Sequence, residues 1–230
     1  MKKLVLIALL IVGAHAQKQF GLDIPLSFTK SLNSVPNALP FESEGGSGSD
    51  LGIGVFFQIS ELLNIKAGYH TWDKVMNPTV EGRVFIENQS LDIIVKEHGK
   101  ISYSGLYVRA NLTPDPFVFG AGLDISLSES YSASASIYNT NNQLLGKSDE
   151  LDYSTITKKF NNQVDLILSA GIRIPINENF NIIPTSQLSA PTLPIYDSNI
   201  RSYNPVDNTN SEALFLIFVF KFGINIEITF

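Results

Sequence analysis

Residues 213–230 read ALFLIFVFKFGINIEITF. Leu214, Leu216, Phe218, Phe220, Phe222, Ile224, Ile226, Ile228 and Phe230 form one unbroken apolar row. The other row softens toward the end into Lys221, Gly223, Asn225, Glu227 and Thr229. A period of two sends the rows to opposite faces of a strand, whereas a helix would scatter Lys221, Asn225 and Glu227 around its circumference. One wholly apolar face, one polar face and a terminal aromatic carboxylate are the pattern of the closing strand of a membrane β-barrel.

Earlier stretches repeat this alternation. Phe20 to Phe28 reads as a first strand, with Pro25 predicting a bulge or a broken ladder, since proline cannot donate. Leu51 to Ile59 and Ile65 to Trp72 follow across a short connection, and in the latter Lys66, Gly68, His70 and Trp72 share one row. Ile101 to Leu112 and Phe117 to Leu127 flank the tight turn Thr113-Pro114-Asp115-Pro116. Val164 to Ile176 reads as a sixth strand and Phe180 to Leu188 as a seventh, crowded by Pro184, Pro191 and Pro194. The long polar connections are 30–49, 76–100, 132–160 and 192–212; within the second, Arg83 to Val95 is predicted to pair as a hairpin above the barrel. Long and short connections alternate, which predicts about eight strands, an all-β antiparallel up-and-down transmembrane barrel, with both termini at the short-turn end.

The chain has 230 residues and begins MKKLVLIALLIVGAHAQ. Lys2 and Lys3, the apolar run Leu4 to Val12 and the Ala14-His15-Ala16 site predict a secretory signal peptide over 1–16, followed by one barrel domain over 17–230. The formal net charge is −6, and losing two lysines with the signal takes it to −8. An acidic chain is a poor nucleic-acid binder. The absence of cysteine excludes disulfides, thiolate nucleophiles and zinc–thiolate sites. No later run approaches the ~20 apolar residues of a membrane helix. A mean hydropathy of only +0.11 is compatible with a barrel whose alternate residues face a polar interior.

The units ISYSGLYVRANLTPDPFVFGAGLDIS (101–126) and VDLILSAGIRIPINENFNI (164–182), the AHAQ region and Phe230 together resemble the small eight-stranded outer-membrane barrels, specifically the PorT-like family of Bacteroidota-type bacteria. The resemblance implies location in the outer membrane, contact with its lipid, and a role in surface assembly or secretion. It also implies that Phe230 is read by the barrel-assembly machinery.

The inward row is predicted to hold Asp23, Lys66, Arg109, Asp124, Asp165, Arg173, Lys221 and Glu227. Mixed charges in an interior about wide enough for its own side chains predict a salt-bridge network that fills the lumen. The competing reading is a narrow ion path. His70 is expected at the outer rim, where Ser102 and Ser104 raise the possibility of a nucleophile and base, without a flanking motif. His98 is expected to be solvated in a loop. Asp207 to Glu212 supplies oxygen ligands but lacks the spacing of a calcium loop. Tyr69, Trp72, Tyr103 and Tyr107 are candidates for an outer aromatic girdle. The expectation is therefore a non-enzymatic barrel without cofactor or metal, acting through its long loops on an extracellular or envelope partner. A solute conduit, a lipid-modifying enzyme and a soluble barrel binding an apolar ligand are the alternatives.

Overall fold

The structure is a computed structural model and describes residues 19–34, 42–86, 89–152, 161–193, 201–204, 209–212 and 216–230. The expected signal peptide lies outside them. Every regular element among the described residues is a strand. In chain order these are β1 (Phe20–Ser34), β2 (Glu42–Gly45), β3 (Ser47–Ser60), β4 (Leu63–Ile86), β5 (Gln89–Leu112), β6 (Phe117–Asn139), β7 (Leu144–Asp152), β8 (Gln163–Ile172), β9 (Ile174–Asn177), β10 (Phe180–Pro191), β11 (Arg201–Asn204), β12 (Thr209–Glu212) and β13 (Leu216–Thr229).

β1, β3, β4, β5, β6, β8, β10 and β13 pair antiparallel in that order, and β13 pairs with both β10 and β1. The ladder therefore closes on itself into an eight-strand ring. β1 meets β13 through fourteen residue pairs, from Gly21↔Thr229 to Ser34↔Leu216. The short turns at Glu61-Leu62, 113–116 and Glu178-Asn179 lie at one end together with Phe20 and Phe230, whose backbones bond at 3.0 Å.

The two faces follow the alternation. Along β6, Leu123 and Ile125 are 44% and 56% exposed, while Asp124 and Ser126 are fully buried. The same holds for Leu106 and Val108 against Tyr107 and Arg109 on β5. A closed ring with apolar side chains outside and charged ones inside leaves no unpaired ladder edge and suits hydrocarbon.

Several expectations need correction. In the segments 76–100 and 132–160 the described residues are mostly strand: β4 and β5 stay paired to Ile86↔Gln89, and β6 runs to Asn139 with β7 folded back on it. The predicted Arg83–Val95 pairing is present, as Arg83↔Asp92 and Val84↔Leu91, but as the tip of one continuous hairpin. His98 accordingly lies on a strand, exposed, with Nδ1 2.7 Å from Asn77 Oδ1. The sixth strand splits at Arg173 into β8 and β9, and the seventh extends to Pro191. At Pro25 the ladder to β3 is broken between Asp23↔Gly54 and Leu26↔Leu51 without a change of register, because proline has no N–H to give.

Leu123 sits midway along the outer row of β6. Leu123→Arg is expected to lower barrel stability by about 2–4 kcal/mol, as measured by reversible urea unfolding in lipid vesicles. A loss below ~0.5 kcal/mol would mean that this face does not contact the bilayer core.

Candidate functional site

The interior is built in layers, since inward side chains at equivalent heights on neighbouring strands meet across the ring. Nearest the short turns, Asn111 donates to Asn64 at 2.8 Å. Above it, Lys66 Nζ lies 2.6 Å from Asp23 and 2.8 Å from Glu227, and Arg173 reaches Glu227 at 3.6 Å. Tyr107 donates to the second oxygen of Asp23 at 3.0 Å. Arg109 stacks on the Tyr107 ring at 4.6 Å.

At mid-height, His70 is fully buried between two carboxylates, with Nδ1 2.8 Å from Asp50 and Nε2 2.8 Å from Asp124. Lys221 bonds Asp50 at 2.8 Å and lies 3.8 Å from Asp124. Ser126 donates to Asp124 at 2.7 Å and accepts from Trp72 at 3.0 Å. The Lys221 ammonium also sits 4.4 Å over the Trp72 ring. Higher still, Lys74 bonds Gln163 at 3.0 Å and Asp165 at 3.3 Å, and Ser189 completes Asp165 at 2.9 Å. An apolar cluster of Trp72, Met76, Ile101, Tyr103, Tyr131, Ala133, Ile217 and Val219 then closes the interior toward the long connections.

Room for these large groups comes from small neighbours. The inward row of β3 is Asp50, Gly52, Gly54 and Phe56. A Cβ on Gly54 would stand 2.4 Å from the Tyr107 hydroxyl, and one on Gly68 2.7 Å from its ring. Alanine at either position would displace the ring that bonds Asp23.

The structure thus brings Asp23, Lys66, Glu227 and Arg173 into one cluster and Asp124 and Lys221 into a second, with Asp165 beside Lys74. Asp50, Lys74 and His70 belong with them and were not among the predicted charges. Asp50 stands at the start of the β3 alternation, and Lys74 follows the point where the strand was expected to end. His70 is not a rim residue. Both its ring nitrogens face carboxylates, while Ser104 bonds Glu129 and Ser102 bonds Asp73 at 2.8 Å, so the suggested nucleophile and base do not meet. Trp72, Tyr103 and Tyr107 form no girdle: all three are buried inside, and only Tyr69 points outward. Asp207 and Asn208 lie outside the described residues, as do the side chains of 209–212. No metal-ligating cluster occurs among the described residues.

Beyond the apolar band, the β4–β5 hairpin carries Glu81, Arg83, Ser90 and Asp92 on one face and Val80, Val84, Leu91, Ile93 and Val95 on the other. Arg83 Nε donates to Asp92 at 2.5 Å, which holds the Asp92 carboxyl below its ordinary value. Both side chains are exposed, so solvent screens the pair. A concavity of about 600 Å³ opens beside them, lined by Glu81, Arg83, Asp92, Ile93, Ile94 and Thr140.

A closed ring of eight antiparallel strands, lipophilic outside and filled with paired charges inside, defines an integral outer-membrane β-barrel protein. Among solved structures, the chain is similar in outline to Ail, the attachment invasion locus protein of Yersinia pestis, at 7% identity and a TM-score of 0.42, covering 94% of this chain and 100% of that one. It is also similar to the Neisserial surface protein NspA at 9% identity, 0.40, 94% and 100%, and to CarO of Acinetobacter baumannii at 13%, 0.40, 90% and 98%. No protein-family model matches the chain, and no curated protein matches it in sequence. Likeness at this level assigns no role to any residue.

Lys221 offers a direct test of the interior. Removing one partner of a buried ion pair strands the other charge. Lys221→Met is expected to cost about 3–5 kcal/mol in urea unfolding. The pair D50N/K221M should cost less than the two single changes added together. Additive losses would show that the two groups do not interact.

Proposed function

We propose that this protein is a non-enzymatic outer-membrane barrel that acts by contact, through the sheet raised above the membrane, with an extracellular or envelope partner. One observation carries this reading: β4, β5 and β6 do not end at the apolar band but continue as one hydrogen-bonded sheet, to Ile86, Gln89 and Asn139. Joining adjacent strands needs only a few residues. A rigid extension built from the barrel's own strands instead presents a fixed surface, widened by β2 on β4 and by β7 on β6. The PorT-like resemblance points this contact toward surface assembly or secretion. The same resemblance motivates recognition of Phe230 by the barrel-assembly machinery. The packed interior argues against a conduit, because the aligned cations and carboxylates bond one another rather than a water column.

The test replaces residues 77–98 with a two-residue turn across Met76 and Gly99, which are directly paired. The shortened barrel should still show heat-modifiable gel mobility, and should fail to restore secretion or envelope integrity in a deletion strain. Full restoration would remove the sheet from the mechanism. In a planar bilayer the intact barrel should carry no steady current; stable unit conductance altered by Arg173→Gln would establish the conduit instead.

A further inference from the structure

Arg109 stands apart in the interior. It is 4% exposed, and its Nε has no hydrogen-bond partner among the described residues. It makes no ion pair there either: Asp23 is taken by Lys66 and Tyr107, and Glu227 by Lys66 and Arg173. Directly across the ladder Arg109 faces Lys66, a like charge. Arg109 is thus a buried cation with no carboxylate bonded to it among the described residues. The Tyr107 ring at 4.6 Å offsets part of its desolvation, but a ring face is not a counter-charge.

A cavity lies beside that charge. Arg109, Lys66, Asn111, Gln187 and Asn225 line a space of about 10 Å³, the size of one water or a slightly larger sphere after small side-chain shifts. Gln187 is 6% exposed, and its Nε2 is likewise a buried donor without a partner. Two buried donors without a partner, one of them in a guanidinium, thus belong to residues that line one hole. No carboxylate lines it.

We infer that this cavity binds one small monovalent anion of the halide class, held by Arg109 and Gln187 as the counter-ion of the Arg109 guanidinium. The anion gives Arg109 the counter-charge that no carboxylate supplies, and an occupant that binds only the folded state stabilises it by mass action. Larger anions such as sulfate or gluconate exceed the space. The site is independent of the contact role of the outer sheet.

The experiment uses the full barrel refolded in detergent. Its thermal midpoint is followed as chloride replaces gluconate at constant ionic strength, and crystals grown in bromide are measured at the bromine absorption edge. The midpoint should rise with chloride, and an anomalous peak should appear between Arg109 and Gln187. Gln187→Glu supplies an internal carboxylate of the same shape beside Arg109; this variant should fold, lose the chloride dependence and lose the peak. Arg109→Gln, if it folds, should do the same. Identical midpoints in chloride and gluconate without a bromide peak would mean that the cavity holds water alone and would overturn the inference. So would an undiminished chloride dependence in Gln187→Glu.

Discussion

A strand in hydrocarbon has no water to satisfy its backbone, and each unpaired N–H or C=O there costs several kcal/mol. The pairing of β13 with both β10 and β1 removes that cost by leaving the ring without an edge. Other features depend on this closure. It brings β1 and β13 together, fixes Phe20 and Phe230 at the short-turn end, and sets which inward side chains share a height. Even Pro25, which cannot serve the ladder on its β3 side, is accommodated because the register resumes unchanged on either side of it.

Closure also creates an interior that must be filled. Eight strands leave a space about as wide as facing side chains can span. Here ion pairs and the unpaired Arg109 fill it, with glycines placed where large groups cross. The Tyr107 ring lies against Gly54 and Gly68, and the Arg109 stem against Gly122, where a Cβ would stand 2.9 Å from Arg109 Cγ. Removing a buried charge partner is costly, so the network ties the strands of the barrel to one another. Toward the outer end the filling changes character, from ion pairs to the apolar cluster around Trp72, Tyr103 and Ile217. Lys74 and Lys221 lie over the Trp72 ring at the boundary between the two.

Past that cluster the barrel wall becomes a sheet with solvent available on both sides. Its polar residues no longer need partners inside a lumen, and its exposed pair Arg83–Asp92 is of the screened surface kind. The structure thus divides into a lower part filled largely by paired charges and a raised upper part exposed to solvent, and the proposed contact role rests on that division.

Architecture was legible in the sequence because alternation is a local property. Leu123 against Asp124, or Phe222 against Lys221, declares its face with no knowledge of any other strand. The row Lys66, Gly68, His70, Trp72 was also legible as inward. His70 and Trp72 were nonetheless placed at the rim, because polarity after Trp72 resembles a strand end; pairing with β5 carries the strand on to Ile86, a fact the local pattern does not contain. Which charge meets which was beyond the sequence altogether. Lys221 and Asp50 are 171 residues apart and touch only because the stagger of the closed ring sets them at one height. The sequence by itself determined the strands, their faces and the alternation of connections. Only the tertiary structure decided the partners within the lumen, the lone cation at Arg109 and the reach of the outer sheet, because these follow from register and enclosed volume rather than from local period.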